Sequence, residues 1–122
     1  MFHLFIRLVS LLVLSSCALQ SDWTPADTRY ETVFQIVNTV DAYTTAQIRH
    51  NPEVVESAWP TRSIIGSNPT EGNVALLFVT YGISHYVIAR CLPPKWRRYY
   101  QVGTIGYSSA LVINNCQSGL CK

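Results

Sequence analysis

The sequence predicts an all-α fold: a signal-peptide helix followed by a small bundle of about three helices, the last two able to form a membrane hairpin. Three observations lead there. Thr24-Pro25-Ala26-Asp27 is a helix start, followed by apolar residues at helical spacing. Val74 to Ala89 is almost wholly apolar or aromatic and too long for a strand. Prolines at Pro52 and Pro93-Pro94 cut the chain between these segments.

The first sixteen residues have the parts of a secretion signal. Arg7 supplies positive charge. Leu8 to Leu14 is a short apolar core, well below the roughly 20 residues of a membrane span. Ser15 and Ser16 are small. Leu14-Ser15-Ser16-Cys17 resembles the lipobox of bacterial lipoproteins. The resemblance implies cleavage before Cys17, thioether lipidation of its sulfur, and acylation of the new amino terminus, for instance with palmitate. It also implies an anchor facing the periplasm. Ala18 follows the cysteine where an Asp would signal retention, so the same analogy favours the outer membrane.

Residues 1–16 are thus read as a lipoprotein signal peptide and 17–122 as one small helical domain, with 17–24 as a tether. Once Arg7 leaves with the signal, eight Lys and Arg face seven Asp and Glu. No basic field is present for nucleic acid. Cys91, Cys116 and Cys121 accompany Cys17 in a compartment that export would make oxidising. Cys116 and Cys121 are expected to pair, because Ser118-Gly119 can fold the chain back between them. Cys91 is expected to be free, since about twenty helical residues, roughly 30 Å, separate it from Cys116.

The first helix is expected over about 25–49. Thr24 suits the N-cap, Pro25 the first turn, and Asp27 the electropositive N-terminus. Tyr30, Val33, Phe34, Val37 and Val40 form its apolar face, which is read as the core side. Asp41 falls near that stripe, either at its edge or as a functional carboxylate. Asn51-Pro52 ends the helix. The connection to Thr70 carries His50, Glu53 and Glu56, with one helical turn expected after Pro60.

The second helix is expected over 71–91. His85 interrupts its apolar run, as a hydrogen-bonded core residue or as a ligand. The third is expected over 94–114, opening at Pro94 with Trp96, Arg97 and Arg98 in its first turns. Gly103, Gly106, Ser109 and Ala110 give it a small-residue face that another helix could approach.

Further motifs are Trp23 with Asp27-Thr28, Asp41 with Thr45, Asn68-Pro69, His85, Leu92-Pro93 with Trp96-Arg97, Gln101, Thr104-Ile105-Gly106 and Asn114. Through these the body resembles a group of short bacterial and phage-associated membrane proteins. The resemblance brings no activity with it. Glu56-Ser57-Ala58-Trp59-Pro60 departs from the Glu-x-Asn-Pro of that group.

Two arrangements follow. One is a three-helix bundle held at a membrane by lipid. The other threads the second and third helices through the inner membrane. The basic residues Arg90, Lys95, Arg97 and Arg98 would then hold their turn in the cytoplasm, with Cys17 and Cys116 on the periplasmic side.

The functional reading is a lipid-anchored structural or interaction protein of the cell envelope, of prophage type, with an envelope protein as partner. One alternative is a small metal-binding or hydrolytic protein using Asp41, His85 and Glu56. Another is an apolar small-molecule binder. No catalytic residue or cofactor is expected, because no phosphate loop or nucleophile motif occurs. A simple antiparallel pairing leaves Asp41 and His85 roughly 9 Å out of register.

Overall fold

The computed structural model describes Cys17 and residues 22–122. The signal segment 1–16 and Ala18 lie outside the described residues. Among the described residues the chain is all-helical. It comprises α1 (Pro25–Ala46), a 3-10 turn (Gln47–His50), α2 (Trp59–Ile65), α3 (Glu71–Cys91) and α4 (Pro94–Gln117).

Each long helix starts where its capping chemistry stands. Thr24 Oγ1 accepts from the Asp27 backbone N–H at 3.2 Å, and Asp27 Oδ2 accepts from the Thr24 N–H at 2.9 Å, with Pro25 behind the cap. Thr70 caps α3 by accepting from the Asn73 N–H. Pro94 opens α4. The first helix turns 3-10 at Gln47, so it is shorter than expected. The last runs to Gln117, three residues further than expected. Gly119 at φ +86° then lets the Leu120 N–H reach back to the Asn115 carbonyl.

The three long helices form one bundle. Asp27 meets Arg97 and Asp41 meets Asn115, so α1 and α4 run parallel. Glu31 meets His85, Gln35 bonds the Gly82 carbonyl, and Asn38 bonds the Phe78 carbonyl, so α3 runs antiparallel to α1. Gly82 is the point of close approach: a Cβ there would lie 2.7 Å from Gln35 Oε1.

The face that α1 turns inward is not the one expected. The buried stripe of α1 is Asp27, Glu31, Phe34, Asn38, Asp41, Thr44 and Thr45. Of the apolar face read as core, only Phe34 is buried, while Val33 and Val40 are exposed. On α4 the buried residues are Arg97, Gln101 and Ser108. On α3 Val74, Phe78 and Ala89 are buried, but many apolar residues point outward: Leu76, Val79 and Ile83 are each at least 60% exposed. The cause is pairing. Most of the polar stripe of α1 is paired, Asp27 and Asp41 with α4 and Glu31 and Asn38 with α3, which makes its burial tolerable, while Asn38 Oδ1 and Gln101 Oε1 stay without a partner among the described residues. The small residues Gly103, Gly106 and Ala110 also face out, and nothing packs on Gly103 or Gly106.

Two disulfides close the ends. Cys116 is joined to Cys121. Cys91 is joined to Cys17 and is not the free thiol expected. The expectation measured only the distance along α4. It left out Cys17, which lies beside Cys91 at the end of α3.

Candidate functional site: a polar seam along the helix interface

The seam has three stations, one at each end of the bundle and one between. The first is Arg97, fully buried at the start of α4. Its five N–H donors are all used. Nε donates to the Ala89 carbonyl at 2.8 Å. Nη1 donates to Asp27 Oδ2 at 3.0 Å and the Asp22 carbonyl at 3.3 Å. Nη2 donates to Asp22 Oδ1 at 3.1 Å and the Leu92 carbonyl at 3.0 Å. A guanidinium presents five donors, so none is left over. Gln101 Nε2 adds a bond to the Asp27 carbonyl at 3.1 Å. Burial works against ionised Asp27. Hydrogen bonds from Thr24 and Arg97, and the charge of Arg97, outweigh it and hold its carboxyl below the usual 3.8.

The middle station is His85. Its Nδ1–H donates to Glu31 Oε1 at 3.1 Å and Oε2 at 3.0 Å, and Gln35 Nε2 donates to the same Oε1 at 2.8 Å. Thr104 Oγ1 lies 2.7 Å from Nε2. The ring is sandwiched between Phe34, with centroids 3.4 Å apart, and Tyr100, at 4.6 Å. Carboxylate, imidazole and hydroxyl in series are the parts of an acyl-transfer triad. Here they are closed off. His85 has no exposed surface, and Thr104 Oγ1 also sits within 3.0 Å of the Tyr100 and Gln101 carbonyls. The arrangement pins two helices together and leaves no room for a reacting atom.

The third station is Asp41. Its Oδ1 accepts from Asn115 Nδ2 at 3.1 Å and, weakly, from Thr45 Oγ1 at 3.5 Å. Asn115 Nδ2 also reaches Thr44 Oγ1 at 2.9 Å. Glu56 is buried and lines a small void with Asp41, while its Oε1 accepts from the Ala58 N–H at 2.8 Å and so holds the approach to α2.

The expected site residues therefore divide. Glu56 approaches Asp41, but His85 belongs to Glu31. Glu31 and Asp41 are ten residues apart on α1, so Asp41 and His85 are separated by roughly 15 Å along the bundle. Among the described residues no group of three His, Cys, Asp or Glu side chains is placed to hold a metal. His50 meets Glu71 at 2.8 Å on the surface, away from the seam.

The sequence alone singled out neither Glu31 nor Asn115 as a site residue, and it offered Thr104 and Arg97 only as members of short motifs and Arg97 as a charge of the turn. A signal for them exists. Asp27, Glu31, Asn38, Asp41 and Thr45 on one helix, and Arg97, Gln101, Thr104, Ser108 and Asn115 on another, recur at spacings of three, four and seven. That is the period of one helix face. No protein-family model, curated protein or solved structure matches this chain.

Proposed function

We propose that this chain is a membrane-embedded structural or interaction component of the cell envelope, with α1, α3 and α4 all crossing the hydrocarbon. The observation that carries the reading is the inverted burial. Between Glu71 and Arg90, α3 carries no charged residue, and His85 is buried. Those 18 residues, 72–89, rise about 27 Å, close to the hydrocarbon thickness of about 30 Å. Between Arg29 and Arg49 the only charged residues of α1 are Glu31 and Asp41, both buried. From Tyr99 to Cys121 there is none.

Among the described residues α3 is long and apolar enough to cross a membrane, and only 28% of its apolar window is buried. A core helix of a water-soluble bundle would be mostly covered. Polar inner stripes lower the average hydropathy of α1 and α4 without placing charge on their outer faces. Intramembrane ionisable groups that face the bundle and pair with one another fit this setting.

Sidedness follows from the rims. Arg29, Arg90, Lys95 and Arg98 surround the start of α1 and the α3–α4 turn, with Trp23 and Trp96 beside them. The opposite rim mixes Arg49, Arg62 and Lys122 with Glu53 and Glu71. The positive-inside rule puts the first rim in the cytoplasm. A spanning α1 then places Cys17 there too, on the same side as the turn. The two-helix hairpin had put them on opposite sides. In a reducing cytoplasm Cys17 and Cys91 would be neighbouring thiols.

A second reading keeps the lipid anchor on the strength of Leu14-Ser15-Ser16-Cys17, and puts that rim in the periplasm instead. The experiment combines alkaline carbonate extraction with alkylation of thiols in intact cells before lysis. Embedding expects the protein to stay in the membrane pellet, also as Cys17→Ser. Release of that variant into the supernatant would overturn embedding. A free Cys17 thiol with a closed Cys116–Cys121 bond is the expected mass. Cys17 carrying diacylglyceryl would reverse the orientation in favour of the anchored form.

A further inference from the structure

We propose that the cleft over Asp41 is a binding site for a small apolar molecule bearing a primary ammonium group. The cleft lies between α3 and α4 at the end where α2 covers the bundle, and encloses about 280 Å³. That is near the lower limit for a ligand cavity. Its walls are mostly apolar or aromatic, with Ile64 from α2, Leu77, Phe78 and Tyr81 from α3 and Leu111 from α4, and the hydroxyls of Thr61 and Ser108 beside them. Asp41, 4% exposed, lies at its inner end.

The charge of Asp41 is what the rest of the bundle leaves open. The other two carboxylates of the α1 stripe have buried cationic or imidazole partners, Arg97 for Asp27 and His85 for Glu31. Among the described residues no Lys, Arg or His pairs with Asp41 or with Glu56. Both hydrogen bonds to the Asp41 carboxylate fall on Oδ1. Oδ2 accepts none among the described residues, and it is the atom left for a ligand.

A buried carboxylate needs a proton or a cation. A hard metal ion would require six or more oxygens, which these walls do not supply. An ammonium needs one strong acceptor and gains further beside aromatic rings, and Tyr81 and Tyr107 line the cleft. Its apolar body would fill the remainder. The site stands whether or not the helices cross a membrane, because it uses only contacts inside the bundle.

The test uses the full chain in a non-ionic detergent, titrated calorimetrically with 2-phenylethylamine at a pH where the amine is protonated, and with its neutral isostere 2-phenylethanol. Saturable binding of the amine is expected, about tenfold or more tighter than the alcohol. Asp41→Asn should bring the amine down to the alcohol's affinity and leave the alcohol unchanged. Ile64→Trp, at the exposed mouth, should weaken both. If Asp41→Asn fails to fold, the amine-to-alcohol ratio of the unmodified chain and the Ile64→Trp result still decide. Equal affinity for the two probes would overturn the site, as would no saturable amine binding or an amine affinity untouched by either substitution. Such results would leave Asp41 as a carboxyl neutralised by a proton alone.

Discussion

Arg97 should be the costliest single residue to lose. Arg97→Met keeps an unbranched side chain of similar length and removes all five hydrogen bonds at once. Left behind are a buried Asp27 carboxylate and the Ala89 and Leu92 carbonyls, all at the point where the three helices converge. Breaking a buried ion pair by deleting one partner costs about 3–5 kcal/mol when the surviving charge is stranded, and the low end is expected here because Asp27 keeps Arg98 Nη2 at 3.5 Å and its bonds from Thr24. A domain of this size has about 5–15 kcal/mol in all. Asp27→Asn should cost less, about 2 kcal/mol, because Arg97 keeps its other bonds, including Asp22 at 3.1 Å. The double variant should lose less than the two singles together, by at least about 1 kcal/mol.

The same pair sets a pH dependence. The folded Asp27 carboxyl titrates below its ordinary 3.8, so its contribution is complete above that value. It is lost as pH falls through the lower folded value. Asp27→Asn should remove this part of the acid limb and leave stability between pH 5 and 7 flat with respect to this group. The assay is denaturant unfolding followed by helical circular dichroism, in one detergent, for the four variants at several pH values. A loss under about 1 kcal/mol for Arg97→Met would refute the reasoning, as would strict additivity in the double variant.

The other pairings can be read in the same assay. Glu31→Leu or His85→Leu alone should each destabilise by about 3 kcal/mol, whereas both together should recover most of that, because a stranded partner costs more than an absent pair; a double loss equal to the sum of the two singles would show that Glu31 and His85 do not depend on each other. Gly82→Leu should displace the Gln35 and Asn38 side chains, which a Cβ there meets at 2.7 and 3.3 Å, and cost about 1–3 kcal/mol. Gly103→Ala, with nothing within 4 Å, should stabilise by about 0.5–1 kcal/mol through helix propensity, and a loss at Gly103 would mean that a partner helix covers that face.

The ends of the helices were legible in the sequence, because caps and prolines are local. Thr24, Pro25, Thr70 and Pro94 stand where helices begin, and the turn expected after Pro60 is α2. Which face goes inside was not. Tyr30, Val33, Val37 and Val40 do form a stripe, and reading it as core assumes water outside. The adjoining stripe from Asp27 to Thr45 had equal periodicity, and only its matching set on α4 could show that it had partners. Register was also beyond local reading. The 47–70 connection is long enough to slide α3 along α1, and the slide that brings Glu31 to His85 leaves Asp41 beside Asn115 and Glu56.

A polar interior changes what specifies the fold. In a lipid surrounding, apolar side chains are equally content against lipid tails or against another helix, so their burial does little to fix one helix against its neighbour. Hydrogen bonds with fixed partners do this instead. Sliding α4 along α1 by one turn would take Gln101 toward the position Arg97 holds beside Asp27, and would move Asn115 away from Asp41 and Thr44. Each displaced group would then sit unpaired where no water can reach it. The parallel pairing of α1 with α4 is thus fixed at both ends, by Arg97 and by Asn115, and α3 is held at three levels by Phe78, Gly82 and His85. On this argument the seam's first task is to set register. Asp41 is the station whose charge that task leaves unmatched, which is the physical reason to look for a ligand there and not at His85.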